Sequence, residues 1–148
     1  MAQAVQKHRM TYADYLAFEE TSQVKHEFVA GECYAMSGGT PLHGHLAART
    51  IGILLRSLGR GPCRPYSSDT RVFLPVWNEG CYPDVSVVCG RPQHDPRDPQ
   101  GVTNPVALFE VLSPTTSDWD RGEKFGRYQS LASLRDYVLV TVERNRVE

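Results

Sequence analysis

Two short apolar stretches, Cys81-Tyr-Pro-Asp-Val-Ser-Val-Val and Val106-Ala-Leu-Phe-Glu-Val-Leu-Ser, read as neighbouring buried strands. Each carries one carboxylate where the pattern asks for an apolar side chain, Asp84 in the first and Glu110 in the second. Like charges about 4 Å apart at an effective dielectric near 20 repel by roughly 4 kcal/mol. A strand pair that tolerates them needs a proton or a cation between them. Side chains alternate along a strand, so Leu108, Glu110 and Leu112 share one face, while Pro83 favours an edge or a strand start for Asp84.

The chain around this pair is predicted as one domain over residues 1–148, long enough to bury a core without staples. Its hydrophobic fraction of 41%, charged fraction of 22% and negative mean hydropathy fit a globular protein, and no apolar run reaches the roughly 18 residues of a membrane span. The N-terminal residues lack the apolar segment of a secretory signal, which gives the cytoplasm as the expected compartment. Cys33, Cys63, Cys81 and Cys89 form no Cys-x-x-Cys pair, so they read as small buried hydrophobes rather than as a zinc site or a disulfide framework. A net charge of −1 gives no bulk electrostatic reason to expect nucleic acid.

In chain order, Thr11-Tyr-Ala-Asp14 has a capping-box outline and opens a short helix ending near Glu20. Lys25–Val29 and Glu32–Met36 flank Ala30-Gly31 as a hairpin. After the breaker cluster 37–41, Leu42 to Leu58 follow helical spacing until Gly59, and Arg49, Arg56, Arg60, Arg64 and Arg71 form a basic neighbourhood on and after that helix. Thr70–Leu74 is expected to pair antiparallel with the Asp84 strand. The segment 90–101 holds three prolines and two glycines and reads as a mobile surface loop. A turn at 113–118 should cap an amphipathic helix over 119–131, and Leu134–Val142 reads as an inner strand. The open sheet edge after it calls for a further C-terminal segment or a partner.

A magnesium site would take Asp84, Glu110, a backbone carbonyl such as that of Val111, and oxygens of substrate and water. The alternative reading of the residues is that Asp84 caps a turn and Glu110 meets Arg121 or Arg71. Asp69 is a third acid, expected to pair with Arg71 or Arg64. His43-Gly-His45 is not a metal pair, because residues two apart near a helix start point about 200° apart around the axis; surface or phosphate contacts are expected of them. Lys124 lies four residues before Tyr128, and the alternative for it is an exposed pair with Asp120. No Gly-x-Ser-x-Gly elbow, phosphate loop or dinucleotide fingerprint is present.

Tyr82-Pro-Asp84 followed after 26 positions by Glu110-Val-Leu112 resembles the PD-(D/E)XK nuclease superfamily, and more narrowly its bacterial restriction-endonuclease family of Uma type. The likeness runs from Thr11-Tyr-Ala-Asp-Tyr-Leu through His26-Glu-Phe-Val-Ala-Gly-Glu32 to Val111-Leu-Ser-Pro114 and Asp120-Arg-Gly-Glu-Lys-Phe125. It implies an α/β fold with a restriction-endonuclease-like mixed central sheet flanked by helices, core order αβββαβ, preceded by a helix and hairpin. It implies a Mg2+-dependent endonuclease acting on DNA, with Mn2+ as substitute, Asp84 and Glu110 on the metal, Glu27 supporting, and a homodimer as the assembly. The superfamily's usual lysine is absent, because position 112 is leucine, and the resemblance moves that role to Lys124. A catalytically inactive binding or assembly module of the same fold is the alternative, and a hydrolase of small phosphoesters is a third reading.

Overall fold

The computed structural model describes residues 3–4, 9–36, 38–113, 119, 122–141 and 146–147. Thr11 opens helix α1 (Tyr12–Thr21) with a complete capping box, its hydroxyl accepting from the Asp14 amide and the Asp14 carboxylate accepting from the Thr11 amide. β2 (His26–Val29) and β3 (Glu32–Ala35) form the expected hairpin. Its two-residue turn has Ala30 at φ 52° and Gly31 at φ 80°, left-handed at both positions as a tight hairpin requires. A first antiparallel sheet is completed by β1 (Gln3–Ala4), β5 (Val72–Leu74) and β6 (Glu79–Cys81), in the order β1-β3-β2-β6-β5.

The second sheet runs β10 (Arg146–Val147), β9 (Asp136–Thr141), β8 (Pro105–Leu112), β7 (Val85–Cys89), β4 (Cys63–Ser67). Among the described strands of this sheet only β8 and β9 pair in parallel, with Glu110 opposite Leu139. The fold is thus mixed α/β and restriction-endonuclease-like, as the sequence predicts, but built on two sheets. The stretch 81–88 is not one strand. β6 belongs to the first sheet and β7 to the second, and the chain crosses between them through buried Tyr82 and Pro83 to Asp84. Consequently β5 pairs with β6, while the strand after Asp84 pairs with β4 and β8.

Between the sheets lies a core of Val29, Val72, Leu74, Cys81, Leu108, Tyr128 and Leu131. Tyr12 and Tyr15 of α1 pack with Phe28, Cys33 and Phe73 into a second cluster on the other side of the first sheet. Helix α2 (Pro41–Leu58), capped by Thr40 with Pro41 in its first turn, lies on β4, β7 and β8. It leaves Leu42, Ile53 and Leu55 exposed. No helix among the described residues is long and apolar enough to cross a membrane.

Three further expectations change. Cys63 and Cys89, opposite each other on β4 and β7, are joined by a disulfide; only Cys33 and Cys81 are the buried free thiols predicted for all four. The loop 90–101 is anchored rather than loose. Asp98 is fully buried, taking Arg71 Nε and Nη2 at 2.7 and 2.8 Å, Tyr12 Oη at 2.7 Å and the Gly101 amide at 2.9 Å. Burial raises the Asp98 carboxyl and is outweighed by Arg71, Tyr12 and the Gly101 amide, which hold it below the usual carboxylate range. Helix α3 (Glu123–Tyr128) ends before the predicted Leu131, and Trp119 is helical as predicted. The expected cap at 114–118, Asp120 and Arg121 lie outside the described residues, and so does Val142.

Candidate active site at the junction of the two sheets

The crossover brings the predicted acids together from three directions. Glu27 comes from β2, Asp84 from the crossover itself and Glu110 from β8, while Lys124 reaches in from α3. Glu27, Glu110 and Lys124 are buried, with 7%, 4% and 4% of their surface exposed. Lys124 Nζ stands 3.0 Å from Glu110 Oε1 and 3.6 Å from Glu27 Oε2. Its stem leans toward Tyr128, whose ring centroid is 5.9 Å from the ammonium. Lys124 is therefore not an exposed helix-pair residue, and Glu27 is not a solvent-facing one.

Two of the three carboxylates are also fixed by the backbone. Glu27 Oε2 accepts from the Tyr82 amide at 2.9 Å, and Asp84 Oδ2 accepts from the Val111 amide at 2.7 Å. Asp84 Oδ2 further meets His43 Nε2 at 3.3 Å. Burial raises the Asp84 carboxyl, but His43, the Val111 amide and the Lys124 ammonium outweigh it and hold the group ionised, below its ordinary range. Leu112 is buried, with no polar atom to offer at the position of the superfamily's lysine. Arg71, one of the partners considered for Glu110, is committed to Asp98 and to Tyr82 Oη at 3.2 Å. Asp69 is exposed and pairs with Lys25 at 3.2 Å instead of an arginine.

The short helix that carries Lys124 is tied to the first sheet. Arg127 donates from Nε to Glu79 Oε1 at 2.7 Å, and Glu79 Oε2 accepts from the Ala30 amide at 2.8 Å. The guanidinium lies 5.2 Å from the Trp77 ring and 5.4 Å from that of Trp119. Burial pushes the Glu79 carboxyl up, partly offset by the Ala30 amide and Arg127. Nothing in the sequence singles out Glu79 or Arg127. His43 is a further residue at the site that sequence reasoning set aside. The available signal was Thr40-Pro41, which fixes a helix start and puts His43 in its first turn.

Among the described residues no group of three or more His, Cys, Asp or Glu side chains is gathered closely enough to hold a metal ion as it stands. The donor chemistry nevertheless suits a hard divalent cation, since all three acids offer carboxylate oxygens. Among the described residues at the junction, three carboxylates face the single ammonium of Lys124.

Residues 12–148 match the model of the Uma2 family, described as "Putative restriction endonuclease". Two Synechocystis sp. proteins are similar: the uncharacterized protein slr1290, 37% identical over 90% of this chain and 69% of its own length, and the uncharacterized protein sll1609, 32% identical over 94% and 78%. The crystal structure of a putative nuclease belonging to DUF820 from Anabaena variabilis ATCC 29413 covers 94% of this chain and 83% of its own with a TM-score of 0.75 at 13% identity, a likeness of fold. With the acids and the lysine meeting where the two sheets join, the chain belongs to the Uma2 restriction-endonuclease family.

Proposed function

We propose that this protein is a metal-dependent endonuclease that hydrolyses phosphodiester bonds of DNA, using the junction of the two sheets as its active site. The observation that carries this reading is the convergence of Glu27 and Glu110 on Lys124 Nζ, at 3.6 and 3.0 Å, beside an ionised Asp84. Asp84 and Glu110, with the carbonyl of Val111, would hold Mg2+, for which Mn2+ substitutes. When bound, the ion lowers the pKa of water and neutralises charge on the phosphate oxygens.

The side chains divide the remaining work. Lys124, a compact cation held by two carboxylates, donates a hydrogen bond that orients the attacking water or steadies the charge developing on phosphate oxygen. Glu27 holds the ammonium toward Glu110 and is itself fixed by the Tyr82 amide. In the reaction a water oxygen bonds to phosphorus and gives up one proton to solvent, the bond from phosphorus to the leaving sugar oxygen breaks, and that oxygen takes up a proton from solvent. A symmetric pair of chains would present two such sites to two strands.

Nicking of supercoiled plasmid with Mg2+ or Mn2+ tests the reading. The wild-type protein should cut, and Asp84→Ala and Glu110→Ala should not; equal cleavage by all three would sink the assignment. The inactive binding module, favoured by Leu112 in the lysine position, would instead retain DNA in EDTA and take up no Mn2+ at millimolar concentration.

A further inference from the structure

We infer that the solvent-facing stripe of α2 formed by His45, Arg49 and Arg56, continued by Arg60 just past its end, is a docking surface for the phosphate backbone of DNA. This rests on the reading above only in taking DNA as the partner.

Charge is unevenly divided along the chain. Between Glu32 and Asp69 there are four arginines and no acid, in a chain whose net charge is −1. Arg71, the fifth member of the basic neighbourhood, is committed to Asp98, and Arg64 lies on β4. His45, Arg49, Arg56 and Arg60 are exposed, and their side chains have no ion-pair or hydrogen-bond partner among the described residues. Arg56, in the last turn, complements the helix dipole, whereas Arg49 in mid-helix has no such role. Cations gathered on one face with no acid to answer them are the electrostatic footprint of an external polyanion.

The helix sets them in line. At about 3.6 residues per turn, His45, Arg49, Gly52 and Arg56 fall within an arc of about 60°, opposite the half-buried Ala47, Thr50, Ile51 and Leu54. From His45 to Arg56 the stripe is about 16 Å long at a rise of about 1.5 Å per residue. At about 3.4 Å per step, that length matches roughly five nucleotides of a DNA strand. Gly52 sits between the two arginines with open space over it, so no side chain holds a backbone away. The helix begins beside the acids, where His43 of its first turn meets Asp84 at 3.3 Å, so the stripe starts at the end of the helix nearest the site. A second copy of this chain is a poorer occupant, because pairing about a two-fold axis would set guanidinia against guanidinia with no acid on the stripe between them.

The test is fluorescence anisotropy of a labelled DNA duplex titrated with the full chain, in EDTA to withhold the metal and at several salt concentrations. Wild type is compared with Arg49→Gln/Arg56→Gln and with Arg49→Lys/Arg56→Lys. The glutamine pair should bind roughly tenfold more weakly, with a slope of log affinity against log salt shallower by about two, and the lysine pair should bind like wild type. Melting temperature should not change, since neither arginine has a partner to lose. Equal affinity and slope in the glutamine pair, or no binding by wild type at low salt, overturns the inference. So do vesicles of anionic phospholipid that bind wild type but not the glutamine pair while DNA binding is unchanged. Plasmid nicking and Mn2+ uptake, read separately, decide the chemistry of the site. Nicking that depends on Asp84, together with undiminished DNA binding by the glutamine pair, leaves the endonuclease reading standing and removes this one.

Discussion

Lys124 and Glu110 form a buried ion pair across the sheet junction, 3.0 Å from ammonium to carboxylate, with the second carboxylate of Glu27 at 3.6 Å. Removing the lysine strands two carboxylates in a site that water barely reaches. Lys124→Met should therefore cost about 3–5 kcal/mol in urea denaturation at neutral pH. Adding Glu110→Gln should recover part of that loss, because the second change removes one of the stranded charges. An unchanged midpoint in the single variant would mean that the pair contributes nothing.

Asp98 does for the loop 90–101 what Lys124 does for the site. With Asp98→Ala, the Arg71 guanidinium loses two bonds in a largely buried setting, and a loss of about 3–5 kcal/mol is expected. Tyr12→Phe removes only a hydroxyl from the same carboxylate and should cost about 1–2 kcal/mol. Thermal melts of the two variants check the order of these effects.

The acid limb of stability follows from the same residues. Asp98 and Asp84 are held below their ordinary values in the fold, so their stabilisation is present above the unfolded carboxyl pKa, near 3.9, and is lost as pH falls through the lower folded values. Glu79 is raised and works in the opposite sense, weakening the fold as pH rises through its range. The midpoint of denaturation should drop below about pH 4, and Asp98→Asn should flatten that drop. Equal slopes for both proteins would remove Asp98 from the account.

The Cys63–Cys89 bridge closes a sequence separation of 26 between an edge strand and β7. Reduction, or Cys63→Ser with Cys89→Ser, should lower stability by about 2–4 kcal/mol. Mass spectrometry before and after alkylation identifies the bridge, and melts with and without reductant read its contribution.

Local chemistry was legible in the sequence where one short stretch decides the outcome. Thr11 and Asp14 cap α1, Ala30-Gly31 makes the hairpin, and Thr40 and Gly59 bound α2. Long-range pairing was not. Residues 81–88 are strand-like throughout, and only packing of two sheets breaks them at Pro83. Cysteine spacing does not encode that residues 63 and 89 face each other, and a proline-rich polar loop gives no sign that Asp98 turns inward. At the site, the apolar pattern exposed Asp84 and Glu110 as misplaced charges. Lys124 was placed by family resemblance, since its helical spacing serves an exposed pair equally well, and His43 was discounted because only its pairing with His45 was weighed.

The most direct measurement is the plasmid cleavage rate of Lys124→Gln, a variant of similar length, with bound Mn2+ quantified in the same sample. The account predicts that the ion is still taken up and that cleavage falls by roughly 100-fold or more, since the group replacing the lysine missing at position 112 has been removed. Cleavage at the wild-type rate with metal bound would contradict it.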